Sequence, residues 1–148
     1  MRKLILSVLL LAVLSFGCPG KHPVDITQPV LATSNTVWDF ANKTALALHD
    51  TCAIQGDKCP DQIKPIVTNW NQFADLADQI DATFDEVESA WLTLGQIDTP
   101  ENKAQLETMI RKLNQLFDQV MALIPGLKLS HVTFSNDQLS MEVPYAVK

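Results

Sequence analysis

Cys52 and Cys59 lie seven positions apart, with His49 just before them and Asp61 just after. Two chemistries fit side chains of these types. The thiols can close a disulfide across the intervening loop, or the four side chains can hold a metal ion. The spacing matches no standard zinc pattern, which sets its cysteines two to four residues apart and adds a second pair of ligands. A dithiol redox motif has two residues between its cysteines; here there are six.

The second group is carboxylic. Asp78, Asp81, Asp85 and Glu88 are three or four residues apart, a spacing that aligns them along one side of a helix. Such a stripe is either a docking face for a basic partner or divalent cations, or the solvated side of a helix whose opposite side is buried. Like charges at this spacing cost about 0.2–0.5 kcal/mol per pair, so the stripe is not a device for stability. A di-metal carboxylate centre requires Glu-x-x-His motifs, and none is present. His22, His49 and His131 are scattered, and no Ser-His-Asp pattern, Gly-rich phosphate loop or haem-attachment motif occurs. The expectation is a protein without catalytic residues, metal or cofactor.

The elements that must position these groups are helical. From Ile63 to Leu94 apolar residues recur in steps of three and four: Ile66/Val67, Trp70, Phe73/Ala74, Ala77, Ile80, Phe84, Val87, Trp91, Leu94. This predicts one helix of roughly 48 Å at about 1.5 Å per residue, too long to bury its stripe alone. The first helix is expected over Pro29–Asp50, capped by Thr27, with Val30/Leu31, Ser34, Val37/Trp38, Ala41, Thr44/Ala45 and Leu48 inward. Thr51–Pro60 reads as a turn. Gly95 is a natural C′ residue for the second helix. Thr99-Pro100-Glu101 opens a third, with cap, first-turn proline and a carboxylate facing the dipole. Its stripe runs Leu106, Met109/Ile110, Leu113, Leu116/Phe117, Val120, Leu123/Ile124, and Pro125-Gly126 stops it. Trp38, Trp70 and Trp91 all fall on the seams and are expected in the core.

The period then changes. Val132 and Phe134 precede Ser135-Asn136-Asp137-Gln138, and Leu139, Met141, Val143, Tyr145 and Val147 alternate after it. This predicts a β-hairpin, with Pro144 marking an edge strand. The fold class is therefore mainly α: an antiparallel three-helix bundle with a C-terminal β-hairpin, in a single domain over residues 28–148.

The chain begins Met1-Arg2-Lys3, and Leu4–Phe16 is an unbroken run of 13 largely apolar residues. That fits the hydrophobic core of a signal peptide and falls short of the roughly 20 residues that span a bilayer. Gly17-Cys18 follows, then Pro19, Gly20 and Pro23. The pattern resembles the leader of bacterial or phage-encoded lipoproteins, although Ser15 and Phe16 stand where that pattern usually has Leu and a small residue. The resemblance implies removal of residues 1–17, lipidation of Cys18 and a tether over residues 18–27. With Pro19 rather than Asp after the cysteine, it also implies the outer membrane, facing the periplasm. Ordinary cleavage at Ser15-x-Gly17 and a retained anchor are the alternative readings. Lipid on Cys18 leaves Cys52 and Cys59 as an even pair, and in an oxidising periplasm a disulfide between them is the expectation.

The 148-residue chain has a formal net charge of −6, with 17 acidic residues. Without Arg2 and Lys3 the balance is −8, and Asp61–Asp98 holds eight acids against Lys64 alone. Such a surface repels phosphate backbones, so no nucleic-acid partner is expected. The expected function is a lipid-anchored, non-enzymatic envelope protein presenting the acidic helix to another envelope protein, in assembly, exclusion, immunity or inhibition. The alternative is a carrier of a small apolar ligand or lipid in a cavity between the helices.

Overall fold

The structure, a computed structural model, describes residues 23–55, 59, 61, 64–124 and 126–142. The leader with Gly17 and Cys18, the Gly56-Asp57 turn, Ile63, and the end of the expected second strand from Val143 through Pro144 to Val147 lie outside the described residues. Among the described residues, no helix is long and apolar enough to cross a membrane.

The first helix, α1, spans Pro23–Gln55, beyond the expected Pro29–Asp50 at both ends. Pro23 takes the first helical position, where a missing N–H costs nothing. Thr27 is therefore interior rather than a cap, and helix replaces the expected tether from residue 23 onward. At the other end no helix breaker precedes Gly56, so Thr51–Gln55 continue the helix and place Cys52 on its buried side, 4% exposed. Cys52 and Cys59 are joined by a disulfide with Cα atoms 5.0 Å apart. Closing so short a loop contributes about 2–3 kcal/mol in the chain-entropy description. The two sulfurs are committed to each other, and among the described residues no group of three or more His, Cys, Asp or Glu could hold a metal ion.

The single long helix expected next is two: α2 (Lys64–Thr68) and α3 (Trp70–Gln96). Asn69 separates them at φ −107°, ψ 19°, in the bridge region that lies off the helical basin. Hydrogen bonds from Asn69 N to Pro65 O (3.0 Å) and from Phe73 N to Asn69 O (2.9 Å) carry the ladder across the break. The interruption is thus a local change of dihedral and not a loss of bonding. Gly95 is also corrected. It lies inside α3, which ends at Ile97 in extended geometry, with the Ile97 N–H donating to Thr93 O. The described chain accordingly has four helices where the sequence reads as three.

On α3 three positions of every heptad are buried: Phe73, Leu76 and Ala77, then Ile80, Thr83 and Phe84, then Val87, Ala90 and Trp91, ending at Leu94. A stripe this wide serves two neighbours at once, and α3 packs on both α1 and α4 (Pro100–Leu123). Thr83 is fully buried, and its hydroxyl is satisfied by donating to Gln79 O at 2.6 Å. The start of α4 is as expected: Thr99 accepts from Asn102 N at 3.2 Å and Pro100 follows it. The core centres on Phe117 of α4, whose ring lies 6.2 Å from that of Trp38 and 6.0 Å from that of Phe84.

The hairpin pairs β1 (His131–Ser135) with β2 (Gln138–Glu142), Ser135 opposite Gln138 and His131 opposite Glu142. Asn136 and Asp137 have φ of 52° and 60°, the type I′ turn that matches strand twist and that these residues tolerate best. Strand β1 lies on α4 and β2 on α1. In this register Val132 occupies a pair whose N–H and C=O point away from β2. Asn114 of α4 meets both groups: its Nδ2 donates to Val132 O at 2.7 Å and its Oδ1 accepts from Val132 N at 2.9 Å. At the hairpin tip Lys103 bridges Asp137 (2.6 Å) and Asp98 (3.1 Å). Those two carboxylates, Asp137 foremost, hold its ammonium above the ordinary lysine pKa.

Candidate functional site

The α3 helix carries Asp78, Asp81, Asp85 and Glu88 along one exposed side, as their spacing requires. They are not equivalent. Asp81 accepts a 2.7 Å hydrogen bond from Nε1 of Trp38, whose indole is otherwise enclosed by Phe73 and Phe117. A buried indole N–H needs an acceptor, and here the acceptor is one of the carboxylates of the stripe. Asp81 is thereby a structural clamp between α1 and α3. Asp78 is exposed, with no hydrogen bond or ion pair among the described residues.

Asp85 and Glu88 differ again. They line a groove of about 490 Å³ between the beginning of α1 and the second half of α3. Its apolar surface comes from Leu31, Phe84, Trp91 and Leu92. The first three are buried, and Leu92 is 45% exposed at the edge. Trp91 also leaves its Nε1 buried without a hydrogen-bond partner. On the other side of α3, Glu86 is engaged by Lys112 of α4 at 2.8 Å, so it is not available in the way that Asp85 and Glu88 are. Two carboxylates beside a hydrocarbon surface suit a cation on an aliphatic stem, the form of a lysine or arginine side chain.

The sequence finds the four carboxylates and their common side. It does not find the α1 wall of the groove, nor the Trp38–Asp81 bond across 43 positions, because no local period reports which turn of one helix faces which turn of another. Two of the three tryptophans are core residues as expected. Trp70 is only half-buried and stacks on His49, with ring centres 4.0 Å apart. The remaining described histidine, His131, meets Asp118 at 2.9 Å. These two described histidines thus form no common site with the acidic stripe; His22 lies outside the described residues. Comparison with protein-family models, with curated proteins and with solved structures finds no match.

Proposed function

We propose that the chain is a lipid-anchored, non-enzymatic protein of the bacterial cell envelope that receives a basic segment of another envelope protein. In this reading α1, α3 and α4 act as an antiparallel three-helix bundle with the hairpin against it. Cys18 carries the lipid, and the domain faces the periplasm from the outer membrane. The observation that supports the partner role is the groove in which Asp85 and Glu88 flank apolar Leu31, Trp91 and Leu92. Charge there selects and orients a basic partner, while the apolar surface takes the stem of its side chains.

The anchor is tested by the intact mass of the protein from the membrane fraction. The expected mass lacks residues 1–17 and includes acyl chains on Cys18, with two further thiols that react only after reduction. An unacylated Cys18 rejects the anchor and leaves the groove reading standing.

The groove is tested by charge reversal, with a photo-crosslinking residue at Leu92. Asp85→Lys with Glu88→Lys is expected to reduce the envelope cross-link roughly tenfold or more, in line with the cost of juxtaposed like charges. Asp78→Lys, on the same stripe but outside the groove, leaves it in place. An adduct of equal yield in wild type and the double variant sinks the partner role. A second reading, the carrier of a small apolar ligand, is favoured by a separate carbon-lined groove beside α1.

A further inference from the structure

Among the described residues that second groove shares no lining residue with the acidic one. It holds about 430 Å³, within the roughly 300–1,000 Å³ of small-molecule sites. It is lined by Val37, Ala41 and Leu48 of α1, by Ile66 of α2, and by Ile124 and Leu127 after α4. Phe40 stands at its edge, 73% exposed. Leu127 and Lys128 reach the groove because the chain turns directly after α4. Gly126 adopts φ 98°, open to glycine and strained for other residues, and Leu127 N donates to Ile124 O at 3.1 Å.

Among the described residues no carboxylate lines this groove, and Lys128 is the one charged side chain on it. Each of the other described lysines is taken up by a carboxylate: Lys43 by Asp39, Lys64 by Asp61, Lys103 by Asp98 and Asp137, Lys112 by Glu86. Lys128 has no ion pair among the described residues.

We propose that this groove binds a free long-chain fatty acid, its hydrocarbon chain along α1 and its carboxylate on Lys128. A hydrocarbon wall selects an alkyl chain by burial, and a single cation at the rim selects a single anion. One groove with one cation matches a single-chain acid rather than a two-chain lipid. The site does not depend on the acidic groove or on its partner.

The test uses the full chain in phosphatidylcholine vesicles with photoactivatable palmitic acid and, separately, the matching photoactivatable hexadecanol. After irradiation, labelled peptides are mapped by mass spectrometry. Acid labelling is expected within residues 37–48 and 124–128 and is displaced by unlabelled palmitate. Lys128→Glu reduces labelling by the acid about tenfold, the loss of one charge-assisted contact, and leaves labelling by the alcohol unchanged. Thr44 is exposed and lines the groove. Thr44→Trp therefore fills the space from its open side and removes labelling by both probes at an unchanged melting temperature.

Labelling spread over the whole chain overturns the proposal, as does equal labelling by acid and alcohol that ignores Lys128→Glu. Acid labelling seen only after deletion of residues 143–148 assigns the groove to the chain's own C-terminal segment. A dimer that Thr44→Trp dissociates assigns it to a second copy. Either result also overturns the fatty-acid site.

Discussion

Phe117→Ala is expected to lower the free energy of unfolding by about 3–5 kcal/mol, the range for truncating a buried aromatic ring. The ring is 1% exposed and lies against Trp38 of α1 and Phe84 of α3. Its removal therefore leaves a void shared by all three long helices. Trp38 cannot collapse freely into that void, because it is held in place by its bond to Asp81. Urea denaturation followed by far-ultraviolet circular dichroism measures the effect as a drop in midpoint. Phe40→Ala is the matched control: at 73% exposure it shifts stability within about 0.5 kcal/mol. If the two variants fall by similar amounts, Phe117 is not at the centre of the core.

Asn114→Leu gives the second large effect, about 2–4 kcal/mol. The substitution keeps the size of the side chain while withdrawing an acceptor from Val132 N and a donor from Val132 O. Val132 is 0% exposed, so both backbone groups stay buried without partners, at about 1–3 kcal/mol each before relaxation. Asn114→Asp restores the acceptor alone, and its carboxylate then opposes the Val132 carbonyl, so this variant is expected to recover only part of the loss. Amide hydrogen exchange separates this mechanism from a general weakening of the core. Protection should fall first at Val132 and its strand partners, while α3 retains its own. Uniform loss across α3 and the hairpin contradicts a local clamp.

These two residues also show how far the sequence could be read. Phe117 is legible, because it stands on a helical period that every neighbour on α4 repeats. Asn114 is not, because a polar residue at a boundary position looks the same whether it faces water or a strand edge from 18 positions away. On α3 the seam from Phe73 to Leu94 is legible as a line. Leu76, Thr83 and Ala90 widen it into a surface, and two of those three are small or polar, so hydrophobicity alone passes over them. The break at Asn69 leaves no trace in the apolar period, which runs through it. Within the acidic stripe the common side of four carboxylates follows from spacing. That Asp81 is consumed by Trp38 while Asp85 and Glu88 border a groove follows only from how α1 lies on α3. Gly95 shows the converse error: a glycine after an apolar run suggests a helix end, but nothing after it requires a left-handed turn, and the helix continues.

The placement of β2 on α1 has a consequence for the order in which the molecule can form. Helices α3 and α4 meet across a three-residue connection, Ile97–Thr99, so their contacts form early and locally. The hairpin face that covers α1 is made of residues 138–142, more than 80 positions further along the chain. An emerging polypeptide therefore carries α1 with part of its apolar side uncovered until the hairpin arrives. Throughout that interval it is a substrate for holding chaperones and a hazard for aggregation. The final closure is long-range, and it joins the first described element to the last.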